Sequence, residues 1–237
     1  EIYMGEYRHQ QYLPSYEKMA EKYHVSVSTM RRTIHVVNQI GAVQTINGKG
    51  TRTFSLGEQC AAPNFESPAV RRNLAFYLQS FEMLVYSCEG VTKHLLSSSS
   101  PEENNELIHD LEHNLETNLC EISIWHYLIH VGRYSRLDGV KEIYRRIYSL
   151  FLWGYPLKAS HGWSDLLDPA CIEFTERMIQ YLKANDADGC AGTVKELLMM
   201  FFPLAQNYLL SHGFTQEELR LTPSIRLLIT TTERKGV

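Results

Sequence analysis

The segment Leu13–Ile34, "LPSYEKMAEKYHVSVSTMRRTI", contains two short amphipathic patterns separated by only a few residues. Ser15 follows a proline and directly precedes the first pattern, so it is the predicted N-cap of a first helix. The apolar residues of that helix recur with helical spacing, at Met19, Ala20 and Tyr23. The segment therefore predicts two consecutive helices joined by a tight turn.

The second helix is predicted to expose a polar, cationic surface. Its apolar stripe consists of Met30, Ile34 and Val37. The residues that point away from the stripe at 100° per residue are Ser28, Arg32 and His35, and Arg31 lies on its flank. In a helix-turn-helix the second helix enters the major groove of DNA, where arginine can bind guanine edges and hydroxyl groups can hold phosphates. This surface therefore favours DNA binding.

A hairpin pattern follows directly, in "AVQTINGKGTRTF" (residues 42–54). Alternating residues on both sides of an Asn-Gly pair predict two antiparallel strands. A hairpin after the second helix is a wing, and Lys49 and Arg52 are expected at its tip, where cations contact phosphates or the minor groove. A lone helix-turn-helix pattern is weak, because structural helix corners are common. The hairpin beside it makes the DNA-binding interpretation more specific.

Charge is distributed unevenly along the chain. Residues 1–57 carry seven Lys and Arg against four Asp and Glu, a balance of +3, whereas the whole chain has a net charge of −4. The remaining residues therefore carry −7. A basic segment joined to an acidic one permits polyanion binding at one end only.

Leu13–Phe54 resembles the winged helix-turn-helix of the GntR family of bacterial transcriptional regulators. The shared features are the Leu-Pro-Ser start, the Ser-x-x-Thr before the arginine pair, a turn glycine and Gly-x-Gly-Thr in the hairpin. The resemblance implies contacts with double-stranded operator DNA by Ser15, Ser26, Thr29, Arg31, Gly48 and Lys49. Together with Ser28, Arg32 and Arg52, these are the predicted DNA-binding residues.

Two positions depart from the family pattern. Glu17 and Val27 stand where the family usually has arginines that contact DNA. Their presence removes two cationic contacts and puts a carboxylate near the phosphate backbone. Since a good base contact is worth ~1–3 kcal/mol, an altered sequence preference or weaker binding is expected.

With 237 residues and 44% hydrophobic content, the chain can form one large or two modest domains. The predicted organisation is a winged helix-turn-helix domain at residues 1–57, a linker with two prolines at 58–68 and a helical domain at 69–237. Six helical patterns with short joints follow residue 68. The predicted fold class is mainly α: an N-terminal winged helix-turn-helix (α+β), then an all-α antiparallel helical bundle.

The helical part is similar to the FadR (FCD) type of C-terminal domain, which dimerises and binds a small effector. "AVRRNLAFYL" puts Arg71 at the usual arginine, and "IWHYLIHVGRY" puts His126 at the usual histidine. Many such domains hold a metal through one aspartate and three histidines. The other three ligand positions here are Ile122, Thr175 and Leu197, so no metal site is predicted.

Two pairs of histidines have helical i, i+4 spacing. His109 and His113 are predicted to face solvent, because the buried stripe of their helix is Leu107, Ile108, Leu111 and Leu115. His126 and His130 are either satisfied core histidines, which is the preferred interpretation, or effector contacts. The predicted effector-binding residues are Arg71, His126, His130 and Arg133.

Other classes of protein are disfavoured. The five cysteines are scattered without a Cys-x-x-Cys pair, which favours a reducing cytoplasm over a disulfide framework or zinc finger. The longest apolar run, residues 197–205, is too short to span a membrane. No Gly-x-Ser-x-Gly, Walker, Gly-x-Gly-x-x-Gly or His-Glu-x-x-His motif occurs, so neither an enzyme nor a bound cofactor is predicted.

The predicted function is a homodimeric, effector-responsive transcriptional regulator that binds an inverted repeat. The alternative is a dimeric DNA-binding scaffold whose helical domain binds a protein partner and no small ligand. A metabolite screen by thermal shift would separate the two.

Overall fold

The computed structural model describes residues 7, 12–39, 43–53, 63–151, 153–154, 157 and 164–220. Contacts divide the chain into two compact units: residues 1–73 with 153–164, and residues 74–152 with 165–237. The predicted linker at 58–68 lies partly outside the described residues, as does the tail after 220, so the domain boundaries stay a prediction.

The described part of the first unit contains two short helices, α1 (Tyr16–Lys22) and α2 (Val27–Gln39). Ser15 caps α1, since its hydroxyl accepts the backbone N–H of Lys18 at 3.4 Å. In the joint between the helices, His24 has φ +52°, in the left-handed region that side chains rarely adopt. The predicted helix pair and its N-cap are confirmed.

The two helices share a small core with the first strand. Its buried members are Tyr7, Leu13, Met19, Ala20, Met30, Ile34 and Val43. Three half-buried apolar residues pack against it: Tyr16, Val27 and Val37. Full burial of a large apolar side chain contributes about 1.5–3 kcal/mol, so the predicted apolar stripe of α2 holds the helix in place and leaves its opposite surface exposed.

A two-stranded antiparallel sheet follows, with strands β1 (Val43–Ile46) and β2 (Gly50–Thr53). The register pairs Val43 with Thr53 and Ile46 with Gly50, which leaves residues 47–49 in the turn. Lys49 donates its backbone N–H to the carbonyl of Ile46 at 3.0 Å. Gly48 has φ +75°, a conformation that favours glycine. The predicted hairpin is therefore confirmed.

The segment before α1 adds a third extended piece to this hairpin. Tyr12 forms an isolated antiparallel bridge with Arg52, and Leu13 donates its backbone N–H to the carbonyl of Thr51 at 2.8 Å. These bonds tie the start of the helix pair to β2, which lies between this segment and β1.

The remaining elements are helical. They are α3 (Pro68–Ser98), α4 (Pro101–Glu116), a 3-10 turn (Cys120–Ile122), α5 (Ser123–Tyr134), α6 (Asp138–Phe151), α7 (Ser164–Lys183), α8 (Ala187–Ser211) and α9 (Gln216–Leu219). Helix α4 begins with a capping box formed by Ser100 and Glu103, and Pro101 lies in its first turn. The fold is a winged helix-turn-helix followed by an all-α bundle, as predicted.

Side-chain contacts show that neighbouring helices of the bundle run antiparallel. Along α3 and α8, Phe81 packs edge-on against Phe202, Glu89 pairs with Lys195 and Lys93 pairs with Asp188, so one number rises as the other falls. Between α4 and α5, Asn114 contacts Ser123 and Glu106 contacts Arg133 in the same sense.

Helix α5 occupies the centre of the bundle. Tyr127, Leu128 and Val131 are almost completely buried. The Tyr127 hydroxyl lies 2.8 Å from that of Thr92 on α3, so this buried polar group is satisfied. Among the helices that the structure describes, none combines the length and apolar character that crossing a membrane requires.

Candidate functional site

The predicted DNA-contacting residues of the helix pair lie on the surface of the first unit. Those on or next to α2 are all exposed: Ser26, Ser28, Thr29, Arg31 and Arg32. Ser26 caps α2, since its Oγ accepts the backbone N–H of Thr29 at 3.0 Å. The capped end of a helix presents N–H groups and a positive dipole, both of which suit phosphate.

Arg31 is held near the first helix. Its guanidinium carbon lies 5.8 Å from the centroid of the Tyr16 ring, within the range of a cation–π contact. The side chain of Arg31 nevertheless remains exposed, as does that of Arg32. The cationic surface of α2 is thus partly pre-oriented and open to a large polyanion.

The two departures from the family pattern have different structural consequences. Glu17 is exposed in the first turn of α1; its own backbone N–H, then the Ser15 hydroxyl and the charge of Arg31, lower its pKa. Its carboxylate is therefore ionised beside an arginine of α2. Val27 instead packs half-buried against the core of the first unit, so that position contributes to folding rather than charge.

Of the two cations predicted at the tip of the wing, Lys49 lies there and Arg52 does not. Gly48 and Lys49 are exposed in the three-residue turn. Arg52 does not lie at the tip, contrary to expectation: it is half-buried in β2, opposite Gln44. The reason is the register, since Gly50 already belongs to the strand. A contact from Arg52 to DNA would come from the side of the hairpin.

The second unit contains a cavity of about 200 Å³ between α4 and α5. It is lined by Glu106, Asp110, His126, Ile129, His130 and Arg133. Three predicted effector-binding residues therefore meet at one place. The fourth, Arg71, belongs to the first unit, where its guanidinium donates to the carbonyl of Phe65 at 3.3 Å.

His126 ends a chain of buried hydrogen bonds. Asn114 donates from Nδ2 to the Ser123 hydroxyl at 3.0 Å and to Nδ1 of His126 at 3.1 Å. The Ser123 hydroxyl also lies 2.8 Å from that of Thr175. Because Nδ1 of His126 accepts a bond, the neutral ring carries its proton on Nε2.

The residues present do not fit the family's metal site. At the ligand positions, Ile122 and Leu197 are apolar, and the Thr175 hydroxyl is bonded to the carbonyl of Cys171 and to Ser123. Across the described part of the chain, no group of three or more His, Cys, Asp or Glu residues could hold a metal ion.

The preferred prediction, that His130 is a core histidine with its hydrogen bonds satisfied, is wrong. The residue is only 5% exposed, and its Nε2 has no hydrogen-bond partner. Burial lowers its pKa to about 4, although Glu106 and Glu103 oppose that shift. The ring is therefore neutral at pH 7, with a buried polar atom left unpaired.

Sequence reasoning missed Glu106 and Asp110. They lie one turn apart on α4, next to the predicted solvent-facing pair His109 and His113, which are indeed exposed. The i, i+4 spacing of the two acids was visible, but it is typical of any solvated helix face. Only the packing of α4 against α5 brings them to His126 and His130.

Residues 1–53 match the family described as "Bacterial regulatory proteins, gntR family". No curated protein matches the chain. Among solved structures, a GntR protein of Streptococcus agalactiae is similar with 14% identity and a TM-score of 0.39, over 81% of this chain and 89% of that one. E. coli McbR/YncC is similar with 13% identity and a TM-score of 0.41, over 87% and 98%.

The solved structure of Lar, which controls the expression of the Listeria monocytogenes agr system, is similar with 13% identity and a TM-score of 0.39. That similarity covers 87% of this chain and 95% of the other.

Proposed function

We propose that this chain, whose residues 1–53 match the gntR family of bacterial regulatory proteins, is a transcriptional regulator that binds an operator as a homodimer in the cytoplasm. A small molecule bound in the helical unit adjusts its affinity for that operator. The observation that carries the proposal is the exposed Arg31 and Arg32 on α2, beside a β-hairpin with Lys49 at its turn.

DNA contact is assigned to two parts of the first unit. In α2 the arginines would reach base edges, while Ser26, Ser28 and Thr29 hold phosphates at the capped end. In the wing, Gly48 and Lys49 would follow the backbone, and Arg52 would approach from the side of the strand. Ser15, at the start of α1, would contribute one more phosphate contact.

Dimerisation is supported by apolar side chains on the surface of the second unit. Phe76 and Tyr86 on α3 are 48% and 52% exposed, and Ile143 on α6 is 44% exposed. A partner subunit could cover such residues. Two copies of α2 about one DNA turn apart would then read the two halves of an inverted repeat.

Effector control is supported by the cavity between α4 and α5. Its location on helices of the bundle, its mixed polar lining and the unpaired nitrogen of His130 are features of a ligand site. Ligand binding there would favour one arrangement of the dimer, and so change operator affinity by a shift of population.

In vitro selection from random duplex DNA tests the proposal. The full chain should enrich an inverted repeat with half-sites about one helical turn apart. The double variant Arg31→Ala/Arg32→Ala should enrich no common sequence, while Arg145→Ala/Arg146→Ala, a matched pair in the second unit, should enrich the same repeat as the original chain. Enrichment of nothing by the original chain would overturn the proposal.

A further inference from the structure

The cavity between α4 and α5 pairs two acids with two histidines. Glu106 and Asp110 are one turn apart on α4, and His126 and His130 are one turn apart on α5. We propose that this cavity binds a small organic cation through a protonated amine. The inference rests on the proposed function, in that it names the chemical class of the effector.

The charges of the lining favour a cation. Glu106 accepts a bond from Arg133 at 3.3 Å and another from the Tyr134 hydroxyl, so its charge is largely compensated. Asp110 makes no hydrogen bond or ion pair with any described residue. The lining holds two carboxylates against the guanidinium of Arg133, so it has an excess of negative charge, which repels carboxylates and phosphates and attracts an ammonium group.

His130 supplies a hydrogen-bond acceptor for the ammonium group. Its unpaired Nε2 is buried, and a buried polar atom without a partner is unfavourable, so a donor from the ligand would be stabilising. In the neutral tautomer with the proton on Nδ1, Nε2 accepts one N–H bond. The ammonium would thus donate to Nε2 of His130 and to the carboxylate of Asp110.

The ring of His126 acts differently. The bond from Asn114 to its Nδ1 fixes the ring and leaves the proton on Nε2. It therefore offers a donor, which suits a hydroxyl or carbonyl group elsewhere on the ligand. Two imidazoles with opposite hydrogen-bonding roles would orient an amine that carries a second polar group.

The size and neighbourhood of the cavity limit the ligand further. Drug-sized ligands occupy pockets of about 300–1,000 Å³, so a volume of about 200 Å³ suits a head group rather than a whole large molecule. A second cavity of about 360 Å³ shares Ile129 and Arg133 with the first, and its lining also includes Leu128 and Tyr148. A short apolar chain attached to the amine could lie there.

A charge series of four-carbon probes tests the proposal. Butylammonium, butyrate and 1-butanol would be titrated separately into the full chain without DNA, with histidine side-chain NMR shifts as the readout. Butylammonium should bind at least about tenfold more tightly than the other two, the difference expected for a charged hydrogen bond. Equal or tighter binding of butyrate, or no binding of any probe, would overturn the proposal.

Two substitutions with opposite expected effects identify the site. Asp110→Asn should weaken butylammonium binding about tenfold. Arg133→Gln removes the cation that competes for Glu106, and should tighten binding about two- to fivefold, the worth of an exposed ion pair. Misfolding of a variant can only weaken binding, so tighter binding by Arg133→Gln could not be explained by damage to the fold.

His109→Asn, an exposed histidine of α4, is the control and should leave the affinity unchanged. Equal affinities for Asp110→Asn and the original chain would overturn the proposal, as would zinc binding that depends on Asp110 while butylammonium does not bind. Because no DNA is present, failure of the amine site is distinguishable from failure of the regulator proposal, which depends on the selection experiment.

Discussion

The hydroxyl oxygens of Ser26 and Thr29 lie 2.8 Å apart at the first turn of α2, and Ser26 also accepts the backbone N–H of Thr29. One serine therefore ends the turn, caps the start of α2 and holds a neighbouring hydroxyl on the exposed surface. Folding and the proposed phosphate contact depend on the same side chain.

Ser26→Ala should lower the free energy of unfolding by about 1 kcal/mol, because it removes the N-cap. It should also weaken DNA binding, since Thr29 loses its partner. Ser28→Ala, two residues further along in the first turn and without a capping bond, should cost less stability. Chemical denaturation of the two variants checks the difference; equal losses would mean that the cap contributes little.

Glu17→Gln should strengthen binding to duplex DNA of any sequence. The substitution removes a carboxylate that would face the phosphate backbone in the proposed complex, and it frees Arg31 from a neighbouring negative charge. A roughly two- to fivefold gain is expected from one exposed charge, measured by fluorescence anisotropy at fixed salt. Glu21→Gln, on the same helix, is the matched control. A gain of the same size in that variant would show that the effect comes from net charge and not from the position of Glu17.

Lys49→Ala should reduce the dependence of affinity on salt. A lysine that neutralises one phosphate contributes about one unit to the slope of log K against log salt. The slope should fall by about that amount for operator and random DNA alike. Lys141→Ala, in the helical unit, is the control and should leave the slope unchanged. An unchanged slope for Lys49→Ala would show that Lys49 does not contact phosphate.

Stability should fall between pH 7 and pH 5 because of His130. Burial lowers its pKa to about 4, and the positive charge of Arg133 adds to this shift. The acids Glu103, Glu106 and Asp110 raise the pKa and so oppose it. The unfolded chain, with an ordinary histidine pKa near 6.5, binds more protons in this interval, so acid favours unfolding. The expected loss is about 2 kcal/mol over the two pH units.

Denaturant titrations of the original chain and His130→Gln at both pH values measure this contribution. The variant should lose about 2 kcal/mol less over the same interval. Parallel losses in the two proteins would show that His130 titrates with an ordinary pKa in the folded state.

The helix pair, the hairpin and the bundle could be predicted from the sequence, because their signals are local. Ser15 and Ser100 sit at capping positions, and Met30 and Ile34 repeat with the helical period. The left-handed conformation of His24 had no such signal, because the tight joint between α1 and α2 imposes that backbone conformation and the histidine itself does not. Likewise, the position of Arg52 depends on the strand register of the hairpin, and a difference of one residue in that register would place its side chain on the other face.

The cavity could be predicted only in part. His126, His130 and Arg133 share one face of α5, which helical spacing reveals. Glu106 and Asp110 reach them through the packing of α4, a contact between distant segments that periodicity does not encode. The unpaired nitrogen of His130 also follows from packing, since nothing in "IWHYLIHVGRY" distinguishes a bonded histidine from an unbonded one.

The most direct test of DNA recognition is a binding isotherm for the selected inverted repeat with the original chain, Arg31→Ala and Arg146→Ala. Arg31→Ala should weaken specific binding by about 5- to 150-fold, equivalent to ~1–3 kcal/mol, and bind mismatched repeats almost as well as the selected one. Arg146→Ala should match the original chain. An Arg31→Ala isotherm that superimposes on the original would contradict the assignment of α2 to the major groove.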